Sequence, residues 1–242
     1  MTALLAFTTL LFEPALGADC QGTVYLTFDT GYMSQADFIA RTLKEEGVKA
    51  TFFLSNEPTF RGDHALDPSW AGYWRALAAD GHAFGNHTWS HYAVRRETAD
   101  GQLLAFSNAG QELHLDQKQF CAELRRVELS FQRDTGRRLA GIWRAPGGRT
   151  TQNSIRWAAS CGYPVHVHWD DAGFIGDELP SDRYPNKMLL ERALKNIRAG
   201  DVVLWHLGIR SRREPAAQIL PTLIRGLRQR GLCFGTLDVV KR

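Results

Sequence analysis

Short runs of strand-forming residues alternate with amphipathic stretches along most of the chain. Apolar runs predict buried strands, and apolar residues three or four positions apart predict helices. The predicted strands cover 23–28, 49–54, 82–87, 140–145, 163–169, 201–206 and 232–240. The predicted helices cover 34–47, 68–81, 116–136, 151–162, 186–200 and 215–231. This alternation predicts an α/β fold: a distorted, incomplete (β/α) barrel with about seven parallel strands.

Two helices carry end signals in the sequence. Ser34 is predicted to cap the first helix, with Gly47 beyond its C-terminus. Asp116 is predicted to cap the long helix that ends at Gly136. Residues 92–115 fit neither pattern and are predicted to form a long irregular insertion. Loops of this length in a compact domain are more often functional than accidental.

The composition is that of an ordinary soluble protein, with 44% hydrophobic and 23% charged residues. The formal net charge of +3 gives no indication of nucleic-acid binding. Six arginines late in the chain favour a solvated helix face over a patch for an anionic ligand. They are Arg210, Arg212, Arg213, Arg225, Arg228 and Arg230.

The first 18 residues resemble a secretory signal peptide. A short apolar core from Leu4 to Phe12 is followed by small residues, and this core is too short to span a bilayer. The first basic residue is Arg41, so the usual positive start is missing, and a disordered or packed N-terminal arm is the alternative. Export to the periplasm or the medium is favoured, with residues 19–242 forming one domain.

Polar side chains stand at the ends of four predicted strands. Asp29 follows the first strand directly, His87 and Arg144 lie at the ends of the third and fourth, and His206 ends the sixth. His91 lies four residues beyond His87. The ends of parallel barrel strands share one rim, which is where the chemistry of such barrels is found. These five side chains are therefore predicted to form a site.

The stretch "HTWSH" places His87 and His91 four residues apart. On a helical turn this spacing puts both rings on one face, where they can bind one metal ion. The motif alone is a weak signal, and a carboxylate on a neighbouring strand strengthens it. A site with two histidines and open positions is of the catalytic kind, because it leaves room for water and a substrate oxygen.

Each remaining polar residue has a structural interpretation beside the functional one. Arg144 is either a surface residue before a turn or the partner that keeps a carboxylate ionised. His206 is either a core histidine or an acid–base group, and its place at a strand end favours the second. His82 is interpreted as structural. His166 and His168 are weaker candidates for the site.

Four motifs, "TFDTG", "HTWSH", "RAPGG" and "LWH", occur in the order and spacing of the NodB-homology polysaccharide deacetylases, carbohydrate esterase family 4. The chain resembles this family from about Thr23 to Val240. Each motif alone is loose, but four in order are highly specific. The stretch "YLTFDTGY" is most similar to the branch that deacetylates muramic acid in peptidoglycan, where a neutral residue also replaces the second acid.

The resemblance implies a role for each residue at the predicted rim. Asp29 would be the general base, held by Arg144, and His206 would be the general acid. His87 and His91 would bind a divalent metal, usually zinc. The chemistry of these residue types agrees, because a metal polarises a carbonyl while an acid protonates the leaving amine.

The resemblance also implies a substrate pocket. The backbone N–H of Gly147 would help to bind the oxyanion, and Leu204 would line the pocket for the acetyl methyl group. Trp169 and a carboxylate would orient the acid histidine. Asp177 is the first candidate for that carboxylate, with Asp171 as its rival.

Thr30 departs from the family pattern, because most members have an aspartate there as the third metal ligand. A hydroxyl gives no charge compensation and binds a dication weakly. The metal is therefore expected to be held by His87 and His91 only, with water or substrate completing its shell.

The sequence thus favours a metal-dependent N-deacetylase of an N-acetylated amino-sugar polymer, most of all peptidoglycan. A chitooligosaccharide deacetylase, a glycan-binding pseudoenzyme without metal and an amidase of a small non-sugar amide are the alternatives. The expected partner is the glycan, with no nucleic acid and no membrane span, and the protein is expected to be a monomer.

The four cysteines show no zinc-knuckle spacing, and in an exported protein their even number predicts disulfides. The first and last strands of a parallel barrel lie close together, which predicts a pair between Cys20 and Cys233. Cys121 and Cys161 lie on helices expected to pack side by side and are predicted to form the second pair.

Overall fold

The computed structural model describes residues 20–108 and 110–237. The predicted signal peptide at 1–18 lies outside the described residues. Within them, parallel strands alternate with helices as the sequence predicts. The strands are β1 (Gly22–Asp29), β2 (Thr51–Leu54), β3 (Ala83–Asn86), β4 (Ala93–Glu97), β5 (Leu103–Phe106), β6 (Glu112–Leu115), β7 (Ile142–Trp143), β8 (Val165–His166), β9 (Val202–His206) and β10 (Leu232–Phe234). The helices are α1 (Ala36–Glu45), α2 (Ala71–Ala79), α3 (Gln117–Thr135), α4 (Gln152–Ser160), α5 (Asn186–Asn196) and α6 (Leu220–Gln229).

Seven strands form the central sheet, and all its pairings are parallel. The order is β10-β1-β2-β3-β7-β8, and β9 also pairs with β1. The predicted count of about seven parallel strands is confirmed. Several strands are shorter than their apolar runs, β8 most of all, because only Val165–His166 of the predicted 163–169 forms a strand.

The barrel is incomplete between β8 and β9. Residues 170–174 run alongside β9 in this gap, where Leu204 donates its N–H to the carbonyl of Gly173 and Phe174 forms a parallel bridge to Leu204. The strands of the sheet are lined by buried apolar side chains that pack against the helices around them. The α/β class and the distorted, incomplete barrel predicted from the sequence agree with this architecture.

The long helix α3 begins and ends as predicted. The carboxylate of Asp116 accepts a hydrogen bond from the N–H of Gln119, whose side chain caps Asp116 in return, and Gly136 closes the helix with φ 70°. Ser34, in contrast, was wrongly predicted as a cap. Gln35 stands at that position without a side-chain capping bond, and its N–H is bound to the carbonyl of Leu207, the residue after β9.

The prediction of an irregular insertion at 92–115 was wrong, since β4, β5 and β6 form a three-stranded antiparallel sheet. Its strands are only four or five residues long and differ in pattern: β5 is a short apolar run, β6 alternates and β4 is mixed, so no single period marks the segment. This small sheet lies over the rim of the barrel, where Arg149 donates a hydrogen bond to the carbonyl of Arg95.

Both predicted disulfides are present. Cys20 is bonded to Cys233, with Cα atoms 5.7 Å apart, and Cys121 is bonded to Cys161, with Cα atoms 5.6 Å apart. The first bond joins the chain before β1 to β10, and the second joins α3 to the end of α4. Among the described residues, no helix has the length and apolar character that crossing a bilayer requires.

Candidate active site

The rim at the carboxyl ends of the strands gathers the predicted polar residues. Asp29 and His206 are the last residues of β1 and β9, and they are direct partners in the register of these two strands. His87 follows β3, and Arg144 follows β7. Paired residues of neighbouring strands point to the same face, so the acid and the imidazole of β1 and β9 share one side of the sheet.

Asp29 lies at the centre of this group and is almost completely buried. Its Oδ1 atom accepts a hydrogen bond of 2.8 Å from Nη1 of Arg144, and its Oδ2 atom lies 3.4 Å from Nε2 of His87. Burial alone would raise the pKa of the Asp29 carboxyl. Arg144, His87 and His206 outweigh burial and hold this pKa below its ordinary value, so the carboxylate is ionised at neutral pH.

Arg144 is completely buried and is fixed by aromatic contacts as well as by Asp29. Its guanidinium carbon lies 4.2 Å from the ring centroid of Phe53 and 5.7 Å from that of Trp169. The ring of Phe53 fits there only because Gly85, its partner on β3, has no side chain. A Cβ atom on Gly85 would lie 2.6 Å from the Phe53 ring.

The rings of His87 and His91 meet edge to face, with their centroids 4.9 Å apart. They do not lie on a helical turn, as the spacing suggested. Thr88 and His91 have left-handed φ values of 60° and 52°, and this bend brings the rings together. Glu123 on α3 accepts a hydrogen bond from the N–H of Ser90 and so supports the bend.

Nδ1 of His87 donates a 2.8 Å hydrogen bond to the carbonyl of Arg144, which leaves the lone pair on Nε2. Burial lowers the pKa of His87 to about 4, so the ring is neutral as a metal ligand must be. Two imidazoles beside carboxylates form a donor set that suits zinc. Within residues 20–108 and 110–237, no three His, Cys, Asp or Glu side chains are grouped closely enough to hold a metal ion as they stand.

His206 is held by Asp177, which accepts hydrogen bonds from the His206 backbone N–H at 2.7 Å and from the ring Nδ1 atom at 3.0 Å. Asp171, the rival candidate, is exposed. Burial opposes the charged imidazolium, but Asp177 and the nearby carboxylates outweigh burial and raise the pKa of His206 to about 10. Glu178 is one of these carboxylates, with its Oε2 atom 3.8 Å from Nε2 of His206.

The three predicted pocket residues lie at the same rim. Gly147 is in the short 3₁₀ turn that follows Arg144 and has a φ of 67°. Leu204 is buried on β9, two residues before His206 and therefore on the same face of that strand. Trp169 stacks on His168, with their ring centroids 4.1 Å apart, and approaches the Arg144 guanidinium rather than His206.

Two residues near the histidines were missed by the sequence analysis. Glu57 accepts hydrogen bonds from the hydroxyl of Thr30 and the N–H of Gly31, and its Oε1 atom lies 3.9 Å from Nδ1 of His91. Asn108, from the turn between β5 and β6, lies 3.1 Å from the same nitrogen. Both come from loops without any periodic pattern, so no signal in the sequence placed them here.

The weaker histidine candidates have structural contacts. His82 is buried, and its Nδ1 atom accepts a hydrogen bond from the N–H of Ala50, as its structural interpretation predicts. His166 accepts a hydrogen bond from the N–H of Ala145, and its ring packs 5.0 Å from Trp143. Burial lowers the pKa of His166 to about 4, so the ring is neutral.

Several late arginines are bound within the fold. Arg225 and Arg228 both pair with Glu46. Arg212 is buried and donates to backbone carbonyls, among them that of Leu179, and Arg230 donates to carbonyls at the end of α5. The interpretation as a solvated helix face holds for Arg225 and Arg228 on α6, which are exposed, and was wrong for Arg212, which is buried in the loop between β9 and α6. The contacts of these arginines disfavour a patch for an anionic ligand.

The sequence profile of the polysaccharide deacetylase family matches residues 17–166, more than half of the chain. The chain belongs to this family. It is a family of hydrolases that act on N-acetyl amide bonds, and its deacetylases are generally metal-dependent. The family assignment agrees with the resemblance carried by the four motifs.

One curated relative is the peptidoglycan-N-acetylmuramic acid deacetylase PdaA of Bacillus subtilis. It is 25% identical over 224 residues, which cover 92% of this chain and 73% of the relative.

Two solved structures show the same fold. A peptidoglycan N-acetylglucosamine deacetylase aligns with a TM-score of 0.67 and 23% identity, over 90% of this chain and 88% of that chain. A carbohydrate esterase family 4 pseudoenzyme from Bacillus anthracis aligns with a TM-score of 0.65 and 18% identity, over 89% of this chain. This chain spans 64% of the length of that pseudoenzyme. At such identities the likeness concerns the fold alone.

Proposed function

We propose that the chain is a metal-dependent hydrolase that removes N-acetyl groups from amino sugars of a polysaccharide, with peptidoglycan as the preferred substrate. The observation that carries the proposal is the pair formed by Asp29 and His206 on adjacent strands. The environment of the first keeps a carboxylate ionised, and that of the second keeps an imidazole protonated. Amide hydrolysis requires a base that is ionised and an acid that is protonated at the same neutral pH.

Asp29 is proposed as the general base that takes the proton of the attacking water. Arg144 is a positioning residue, because it holds one oxygen of Asp29 and leaves the other oxygen facing His87. His206 is proposed as the general acid that protonates the leaving amine through Nε2, since its Nδ1 atom is bound to Asp177. Without this proton, the carbon–nitrogen bond of the tetrahedral intermediate does not break readily.

His87 and His91 are proposed to hold the divalent metal, with zinc as the first candidate. When bound, the metal would polarise the amide carbonyl and lower the pKa of water at the site. The N–H of Gly147 is proposed to donate a hydrogen bond to the developing oxyanion, and Leu204 to contact the acetyl methyl group. Trp169 is proposed to support the site through its contact with the Arg144 guanidinium.

Peptidoglycan is preferred over chitooligosaccharide because the "TFDTGY" stretch, including the neutral Thr30, resembles the muramic acid branch, and because a curated relative deacetylates N-acetylmuramic acid. A glycan-binding pseudoenzyme is the alternative from another class. It is disfavoured because all five polar residues of the proposed machinery are present and four of them contact one another.

The proposal places the protein outside the cytoplasm, acting as a monomeric single domain (19–242) after removal of residues 1–18. The two disulfides are compatible with an oxidising compartment, because thiols stay reduced in most cytosols. The N-acetylated glycan is its only proposed partner.

Mass spectrometry of products would test the substrate class. Zinc-loaded protein is incubated with a muropeptide mixture, with chitooligosaccharides and with a small N-acetyl amide, each beside a sample without protein. Loss of acetyl groups from muropeptides supports the proposal, and loss only from chitooligosaccharides or only from the small amide establishes the corresponding alternative. Binding to either glycan without acetyl loss would establish the pseudoenzyme and overturn the proposal.

A further inference from the structure

Glu57 places a carboxylate beside the two histidines, although it comes from the loop that follows β2. Its Oε2 atom accepts hydrogen bonds of 2.9 Å from the hydroxyl of Thr30 and 2.8 Å from the N–H of Gly31. The Thr30 hydroxyl in turn accepts a 3.2 Å hydrogen bond from the N–H of Ser55. The chain around Thr30 therefore holds this carboxylate in place, and Thr30 itself does not face a metal as a free ligand.

The other oxygen of Glu57 is turned towards the histidines. Oε1 lies 3.9 Å from Nδ1 of His91, and it accepts a long hydrogen bond of 3.5 Å from the side-chain amide of Asn108. The side chain of Glu57 is only 12% exposed, so bulk water screens its negative charge only weakly. Metal-binding carboxylates are commonly arranged in this way, with one oxygen held by neighbouring donors and the other free to bind.

A second carboxylate would also improve the balance of charge at the site. Two neutral imidazoles give a dication no compensating charge, and Asp29 is already bound to the guanidinium of Arg144. Glu57 is the carboxylate that approaches His91. An anionic ligand at this place would supply the charge that the neutral Thr30 cannot.

We propose that Glu57 is a third protein ligand of the metal, bound through Oε1, and that Thr30 and Gly31 position it. This inference rests on the proposed metal-dependent function and extends the expected set of two histidines. Side chains must turn to form the site, since no three of them are grouped closely enough as they stand among the described residues, but the Glu57–His91 distance is close to what one ion needs. Two ligand atoms at about 2.0–2.1 Å from a tetrahedral zinc lie about 3.4 Å apart. Oε1 of Glu57 and Nδ1 of His91 are 3.9 Å apart, and Nδ1 also lies 3.1 Å from Oδ1 of Asn108, so the His91 ring must turn before it and the carboxylate can bind one ion.

The alternative role for Glu57 is to orient His91 from outside the coordination shell. A metal-binding experiment separates the two roles. Zn²⁺ affinity is measured by competition with a chromophoric chelator, and the visible spectrum of the Co²⁺-loaded protein reports the ligands directly. Glu57→Gln keeps the shape and removes the charge. Glu128→Gln is the matched control, because Glu128 is similarly buried, at 14% exposure, and hydrogen-bonds to Tyr163 away from the rim.

Loss of a residue that only hydrogen-bonds to a metal ligand typically weakens metal binding about 10–100-fold. We expect Glu57→Gln to weaken Zn²⁺ binding by more than this and to change the Co²⁺ spectrum. The Glu128→Gln control should match the parent in both measurements. The double variant Thr30→Asp/Glu57→Gln should bind Zn²⁺ more tightly than Glu57→Gln, because it adds a carboxylate next to the side chain at position 57. If Glu57→Gln does not fold by circular dichroism, Glu57→Asp takes its place and should shift the Co²⁺ spectrum.

Unchanged affinity in the Glu57 variant, or weaker affinity with an unchanged Co²⁺ spectrum, would overturn the ligand role. Absence of Zn²⁺ binding by the parent protein would instead overturn the metal dependence of the proposed function, and this inference with it. The parent measurement therefore distinguishes the two failures.

Discussion

The carboxylate of Asp177 holds His206 at two points, the backbone N–H through Oδ2 and the ring Nδ1 atom through Oδ1. Both oxygens of a buried carboxylate are thus committed to one residue, which fixes the ring and directs Nε2 away from Asp177. The same contact keeps the imidazole charged. In the proposed mechanism, this arrangement makes His206 a proton donor at neutral pH.

Replacing Asp177 should move the basic limb of the pH–rate profile. The pKa of His206 is raised to about 10, so the ring is protonated below that pH and loses its proton above it. Asp177→Asn removes the main cause of the shift, and the pKa should fall towards the ordinary value of about 6.5. We expect kcat/KM of the variant to decline at a lower pH than that of the parent. The exposed Asp171→Asn is the control and should leave the limb in place.

The contact has a matching effect on stability. A raised folded-state pKa stabilises the protein fully below the unfolded pKa of about 6.5, and this contribution is lost as the pH rises through about 10. If the basic limbs of Asp177→Asn and the parent coincide, Asp177 does not set the protonation of the acid.

Asp29→Asn should abolish most of the activity, because the amide keeps the shape of the side chain and removes its basicity. The expected loss in kcat is on the order of 10²–10⁴-fold. The variant should also lose about 3–5 kcal/mol in the free energy of unfolding, since Arg144 remains buried without its anion. Urea unfolding measures the second effect. Asp80→Asn, which removes a more exposed partner of Lys44, should change stability by less than about 1 kcal/mol.

Gly85→Ala should disturb the site from inside the sheet. The added methyl group would meet the Phe53 ring at 2.6 Å and Ile142 at 2.9 Å, and Phe53 is the surface on which Arg144 rests. Overpacking of this kind costs about 1–3 kcal/mol. We expect lower stability together with a lower kcat. Gly72→Ala on α2 is the control, because nothing lies within 4 Å of its added Cβ, and it should be neutral or stabilising. Parent-like kcat in Gly85→Ala would show that Arg144 does not depend on this support.

Loss of the bond between Cys121 and Cys161 should destabilise the protein. The bond closes a sequence separation of 40 residues, for which loop entropy gives about 4 kcal/mol. Cys121→Ser/Cys161→Ser should therefore unfold at lower urea concentration than the parent, and dithiothreitol should shift the parent in the same direction. Four titratable thiols in the denatured, unreduced protein would contradict the pairing.

The parts of the site that lie on strands could be predicted from the sequence. A polar residue at the end of an apolar run, such as Asp29 or His206, has its position fixed by the strand before it. The cysteine pairs followed from the closeness of the first and last strands and of α3 and α4. In these cases, the regular geometry of a strand or helix fixes where the residues on it or at its end lie.

The parts that lie on loops could not be predicted in this way. Glu57 and Asn108 reach the histidines through turns whose conformation depends on contacts that form only in the folded protein. The choice between Asp171 and Asp177 likewise depended on the course of the chain between β8 and α5, where no periodic pattern exists. The antiparallel sheet at 92–115 was missed because its strands are only four or five residues long and each has a different burial pattern.

Metal-dependent deacetylation is tested most directly by acetate release from purified peptidoglycan with one preparation in three states: metal-stripped, reloaded with Zn²⁺, and stripped again with a chelator. Acetate should be released only in the reloaded state, and mass spectrometry should show that the amino sugars have lost acetyl groups. Equal release in all three states, or no release after Zn²⁺ is shown to be bound, would contradict a metal-dependent deacetylase.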